Sequence, residues 1–190
     1  MERCGWVGEQ QIYKDYHDTE WGVPEWDSRA LWEKLILDGF QAGLSWITIL
    51  RKRENFRSAF AQFDPNAIAS WGEADVSRLL QDPGIIRHRG KIEATIGNAR
   101  AWQKIEEDGG FDTYLWGFVD GRPLQNAWVA QSDVPAFTPL SEAISKDLKQ
   151  RGFRFCGPTI VYAFMQAMGM VNDHLVSCHR YEACAKLAER

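Results

Sequence analysis

Cys4 and His17 near one end of the chain, and His174 and Cys178 near the other, are residue types that bind transition metals. Two thiolates and two imidazoles are the donor set of a closed, tetrahedral structural Zn²⁺ site. The second pair is spaced i, i+4, which on a helix puts both side chains on one face. If the four converge, one ion clips the start of the chain to its end, and the chemistry lies elsewhere. The alternative is coincidence across a long sequence separation. His179 is then a competing ligand, Cys156 a buried thiol in an apolar stretch, and Cys184 an exposed or half-buried one. Spacing alone leaves both readings open.

A second group combines flat rings with a carboxylate. Trp6, Tyr13, Tyr16, Trp21 and Trp46 belong to a chain with nine tryptophans, most of them in its first half. Core packing accounts for some of them, and a pocket that stacks a planar ligand accounts for such a concentration as well. Phe40 to Trp46 reads as a small-residue turn between helices, with Gly43 allowing close backbone approach and Leu44 fit to act as an apolar wedge between bases. Asp38 just before that turn is either a solvated helix-end charge or an acceptor for an amino group on a cationic ring.

A third group is basic. Arg87, His88, Arg89 and Lys91 surround Gly90 at the start of a helix. Free amides at a helix N-terminus, with the dipole behind them, favour a phosphate there. Added positive charge makes such a turn a grip for a nucleic-acid backbone without sequence reading. The alternative is a solvated basic turn.

The elements that must position these groups read as helices joined by short turns. The 190 residues fit one domain, or two small lobes sharing a core, and 45% hydrophobic content suffices for that core. A net charge of −4 argues against a general polyanion binder, so nucleic-acid binding would need a local basic patch on an acidic body. No stretch suits a membrane span or a signal peptide, and four cysteines without a secretory context fit a reducing compartment. Asp27 or Ser28 is expected to cap a helix to about Phe40, and a second is expected from about Leu44 into Phe60. Further helices are expected from Pro65, from Asp75 to Leu80, from Gly90 to about Glu107, over Thr113 to Val119, near 140–151 and over 158–168. Residues 120–137 read as irregular, no strand pairing is convincing, and a last helix capped by Asn172 or Asp173 is expected to carry His174 and Cys178.

Taken in order, MERCGWV at 1–7, YHDTEWGVP at 16–24, QAGLSWIT at 41–48, KRENF at 52–56, GIIRHRGKIEA at 84–94, IGNARA at 96–101, KQRGFRFCGPTI at 149–160 and VNDHLVSC at 171–178 form a specific set. With them the chain resembles the 3-methyladenine DNA glycosylase I family, constitutive bacterial alkylation-repair enzymes of the helix-hairpin-helix superfamily. The resemblance covers nearly the whole chain and is weakest over roughly 103–140 and after Cys178.

It implies an all-α glycosylase fold forming a single catalytic unit over 1–190, with the helix-hairpin-helix at about 75–107 and zinc-linked termini over 1–26 and 171–190. It implies one structural zinc on Cys4, His17, His174 and Cys178, and a base pocket of Trp6, Tyr13, Tyr16, Trp21 and Trp46. Gly43, Leu44, Arg87, His88, Arg89, Gly90 and Lys91 are then the expected DNA contacts. The family's base-contacting carboxylate falls on position 38, where glutamate is usual and this chain has Asp38, shorter by one methylene. The expected reaction is hydrolysis of the N-glycosidic bond of 3-methyladenine in double-stranded DNA, with free base and an abasic site as products. The expected setting is a cytoplasmic bacterial monomer. The superfamily's aspartate after the hairpin is not carried onto Asp108 or Asp112, which lie outside the matching motifs.

Two other classes compete. A zinc-stabilised DNA-binding module leaves the rings beside Asp38 unexplained. A zinc hydrolase or deaminase needs an open coordination position, and the His-x-Glu with Cys-x-x-Cys pattern of the deaminases is absent.

Overall fold

The structure, a computed structural model, describes residues 1–188. It is helical. The order is α1 (Gln11–Thr19), α2 (Ser28–Gln41), α3 (Trp46–Ala59), α4 (Pro65–Ala69), α5 (Glu73–Leu80), α6 (Arg89–Glu107), α7 (Phe111–Gly117), β1 (Leu124–Gln125), α8 (Pro139–Gln150), α9 (Pro158–Ala167), β2 (Val171–Asn172) and α10 (Tyr181–Leu187). The helix starts follow local chemistry. Asp27 accepts from the amide of Ala30 at 2.8 Å, and Asp64 accepts from Asn66 at 3.0 Å ahead of Pro65.

Two expectations fail. Residues 120–137 contain a strand after all, since Leu124 and Gln125 pair in parallel with Val171 and Asn172. The helix expected over His174 and Cys178 is absent, and these residues lie in consecutive turns between β2 and α10. Asn172 and Asp173 are spent otherwise than as expected. Asn172 is in the strand, although its side chain also accepts weakly from the His174 amide at 3.4 Å. Asp173 accepts from Asn126, Trp128, Tyr162 and Gln166, which pins this segment to the 126–128 loop and to α9.

The main core gathers Leu31, Trp32, Phe40, Phe56, Phe60 and Phe63 against apolar faces of α6 to α9. Helix α9, apolar nearly all round, packs on both α2 and α8, which explains that composition. A smaller cluster of Cys4, Val7, Tyr16, Trp21, Leu175 and Cys178 unites the two ends of the chain. Trp46, Val134 and Met168 pack against both clusters, so the two cores meet. No helix of the described residues is long and apolar enough to cross a membrane.

Candidate functional site

A cavity of about 350 Å³ opens where the two cores meet. Trp6 enters it from the turn before α1, Tyr13 and Tyr16 from α1, Trp21 from just after it, Asp38 from α2 and Trp46 from the first position of α3. All five aromatic residues expected at a pocket therefore line one, together with the expected carboxylate. Trp6 packs edge-on against Tyr13 and Trp21 at centroid distances of 5.6 and 5.1 Å, so each ring fixes the next. The Tyr13 hydroxyl accepts from the amide of Ile47 at 2.9 Å, tying α1 to the start of α3.

Asp38 is not a solvated helix-end charge, being 2% exposed. Its Oδ1 accepts from the amine of Lys34, one helical turn earlier, and its Oδ2 has no partner among the described residues. Burial pushes the Asp38 carboxyl above its usual range, and Lys34 opposes that shift. Burial likewise lowers the pKa of Lys34, against the pull of Asp38. The Lys34 amine also stands 3.9 Å from the centre of the Trp46 ring. Buried polar atoms without partners are rare. Three of them, Nε1 of Trp6, Nε1 of Trp46 and Oδ2 of Asp38, belong to residues of this one cavity.

Sequence reasoning missed Lys34, Asp173, Gln131, Val134 to Ala136, and the α9 residues Thr159, Tyr162, Ala163, Gln166 and Ala167 in the cavity wall. Lys34 carried a signal, since Lys and Asp at i, i+4 share a helix face. Gln131, Val134 to Ala136 and Asp173 come from an irregular segment and a turn, where periodicity gives no cue, and the nearly all-round apolar pattern of α9 reads as core rather than as cavity wall.

At the far side of Trp21, Cys4, His17, His174 and Cys178 converge. They are buried, and their donor atoms all lie within 4.8 Å of one another. The Cys178 sulfur is 3.4 Å from Nε2 of His17 and 3.5 Å from Nδ1 of His174, and the Cys4 sulfur is 3.6 Å from the latter. A tetrahedral divalent ion with bonds of about 2.3 Å to sulfur and 2.0 Å to nitrogen has S···N edges of about 3.5 Å. The remaining ring nitrogens are satisfied from outside. Nδ1 of His17 meets Asp18 at 2.8 Å, and Nε2 of His174 meets the Trp21 carbonyl at 3.1 Å. Protons on those nitrogens leave the other lone pairs facing the thiols, as in a metal site with oriented imidazoles. The cluster can hold a metal ion. Gly22, at φ +80°, lies so close that a Cβ there would stand 2.8 Å from Nε2 of His174. His179 does not compete, because its ring meets the Glu2 carbonyl and Asp18 instead. Cys184 is buried rather than exposed.

The basic turn between α5 and α6 is only partly what its sequence suggests. Arg87, His88 and Arg89 are exposed. Arg89, however, pairs with Glu73 and Glu93, and the His88 ring accepts from the Lys91 amide as a helix cap. The expectation that Lys91 contacts phosphate is contradicted. Its side chain is buried, and the amine donates to the carbonyls of Phe40 at 2.8 Å and Ala42 at 2.6 Å. Those carbonyls end α2, where the helix dipole attracts a cation. Gly90 is half-buried beside the His88 ring. Across that link, Gly43 has φ +79° and Leu44 is 39% exposed at the tip of the α2–α3 turn.

The profile of the methyladenine glycosylase family matches residues 6–181. The chain is 56% identical over 182 residues to DNA-3-methyladenine glycosylase 1 of Escherichia coli K12, covering 95% of this chain and 97% of that one. A crystal structure of 3-methyladenine DNA glycosylase I superposes with a TM-score of 0.92 at 56% identity, covering 94% and 98% of the two chains. A tyrosine-to-phenylalanine variant of such an enzyme, crystallised with 3-methyladenine, superposes with a TM-score of 0.92 at 38% identity, covering 95% and 98%.

Proposed function

This chain belongs to the methyladenine glycosylase family, and from that premise we propose how its pocket serves as a monofunctional DNA-3-methyladenine glycosylase of base-excision repair. The substrate does much of the work. An adenine methylated at N3 in DNA is cationic, so its glycosidic bond is already weak. When the bond breaks, the base takes the electron pair and becomes neutral, and the positive charge passes to the sugar. Water then adds at C1′ and loses a proton, leaving an abasic site. Strong general-acid catalysis is not needed. The enzyme has to draw the base out of the stack, hold it by shape and edge, and tolerate the sugar cation.

The aromatic cavity supports that role. Trp46 and its neighbouring rings stack the extruded base, and Asp38 is the residue that reads its edge. The observation that carries this reading is the buried Oδ2 of Asp38, an acceptor without a donor among the described residues, in a cavity that Trp6, Tyr13, Tyr16, Trp21 and Trp46 help to line. An exocyclic amine would complete it with a charge-assisted hydrogen bond. Tyr16 adds a further wall beside Trp46, with centroids 5.6 Å apart. Leu44, presented by Gly43, fills the space vacated in the duplex, and Arg87, Arg89 and the turn around Gly90 approach phosphates. We read α5 to α6 as the helix-hairpin-helix and residues 1–190 as one catalytic unit acting as a cytoplasmic monomer on double-stranded DNA, with positions 189 and 190 outside the described residues.

For the metal cluster, zinc is the fitting ion. It would be held by Cys4, His17, His174 and Cys178, closed to substrate, and would supply stability rather than reactivity. Four protein donors argue against water activation at that ion and so against a deaminase. Chromatography of the bases released from methylated duplex DNA tests the function: 3-methyladenine is expected in excess over other bases, and its absence overturns the reading.

A further inference from the structure

Lys34 is a cation in the wall of a pocket read as binding a cationic base, an arrangement that by itself repels the substrate. Its surroundings give it a purpose. It lies one turn before Asp38 on α2, and the two residues are 8% and 2% exposed. Its amine binds Oδ1 of Asp38 and stands over the Trp46 ring at 3.9 Å, while Oδ2 of Asp38 has no partner among the described residues. We propose that Lys34 is a positioning residue for base recognition, holding one oxygen of Asp38 and keeping the carboxylate ionised so that the other oxygen alone meets the amino edge of the base. The proposal rests on the reading of this cavity as the base pocket.

A carboxylate in an apolar cavity takes up a proton unless a cation or several donors hold it as the anion. The charged and titratable groups around Asp38 leave that task to Lys34. From α1, Tyr13 and Tyr16, and just after it Glu20, offer no cation. From α3, Arg53 is committed to both oxygens of Glu20, at 2.5 and 2.9 Å. From α9, Tyr162 gives its hydroxyl to Asp173 at 2.6 Å, and Asp173 is held by that bond and by Asn126, Trp128 and Gln166. Burial works to raise the pKa of Asp38, and Lys34 is the group that lowers it.

Two consequences follow. The charges of Lys34 and Asp38 cancel, so the pair selects by hydrogen-bond geometry more than by attraction for a cation. With Oδ1 occupied, a single acceptor is presented, which suits one amino group.

The test is the pH dependence of single-turnover 3-methyladenine release from methylated duplex DNA. It compares the wild type, Lys34→Met, Lys34→Gln and Asp38→Asn. Methionine keeps the unbranched shape, and glutamine keeps a donor without charge. In both Lys34 variants the acid limb is expected to move to higher pH by about one unit or more, with release recovering as Asp38 ionises. Asp38→Asn is expected to be slow and to lack that limb. An unmoved acid limb in the Lys34 variants, or a uniform loss at every pH, overturns the proposal while leaving the pocket reading intact. Wild-type release by Asp38→Asn overturns the pocket reading itself.

Discussion

Lys91 reaches from the first turn of α6 to the carbonyl of Ala42, 2.6 Å away, and thereby ties the α5–α6 turn to the loop that presents Leu44. A second bond to the Phe40 carbonyl at 2.8 Å completes the tie. The two segments expected to touch DNA are thus joined by a lysine that sequence reasoning assigned to phosphate.

Lys91→Met should therefore act on stability. It leaves the buried carbonyl of Phe40 and the half-buried one of Ala42 without their donor, at a cost of about 1–3 kcal/mol, or roughly 3–10 °C in Tm for a chain of this size. Thermal melts check this, with wild-type Tm as the contrary result.

Arg87 should carry the electrostatic contact that Lys91 does not. Arg87→Ala is expected to weaken duplex binding across sequences and to flatten the plot of log K against log salt by about one unit. Lys91→Met should leave that slope unchanged in protein that remains folded. Binding titrations over a salt series distinguish the two, and a slope altered by Lys91→Met but not by Arg87→Ala would contradict the assignment.

Metal content should be close to one zinc per chain in protein purified without added metal, as measured by elemental analysis. Removing the ion, or replacing Cys178 by Ser, should lower Tm by on the order of 10 °C, given that structural zinc binding is coupled to folding. The ratio of bases released by protein that stays folded should not change. Active protein without metal would contradict the structural role.

Part of the low-pH behaviour should come from Asp147. Burial works to raise its pKa, but hydrogen bonds from Tyr114 and Arg151, each 2.7 Å, prevail and hold the carboxyl below its usual range. A depressed carboxylate contributes stability that is present above its unfolded pKa, near ~4, and lost as pH falls through the folded value. Asp147→Asn should therefore be less stable than wild type near neutrality, with the gap narrowing below about pH 4. Denaturant titrations at several pH values check this, and a constant gap would contradict it.

The amphipathic runs, capping residues and prolines placed most helices to within a few residues, because those signals are local. Pocket rings and the four metal-type ligands were legible through motif resemblance, since they come from distant parts of the chain. The i, i+4 spacing of His174 and Cys178 pointed to the right pair for the wrong reason. Turns bring them together, while Asp173, just before His174, binds four donors from the 126–128 loop and α9. Lys91 was misread because a lysine in a basic run gives no sign of which carbonyls lie within its reach. Lys34 was overlooked because burial turns an ordinary helix-face pair into part of a pocket.

The central claim is that Asp38 reads the damaged base inside the aromatic cavity. Its most direct test is 3-methyladenine release from methylated duplex DNA, measured beside affinity for undamaged duplex. The variants are Asp38→Asn and Asp38→Glu. A charge-assisted hydrogen bond contributes roughly 1.5–3 kcal/mol, so Asp38→Asn should slow release by about tenfold or more while duplex affinity stays near wild type. Asp38→Glu keeps the charge and should keep release. Wild-type release by Asp38→Asn would mean that the rings alone select the base, and would contradict the account.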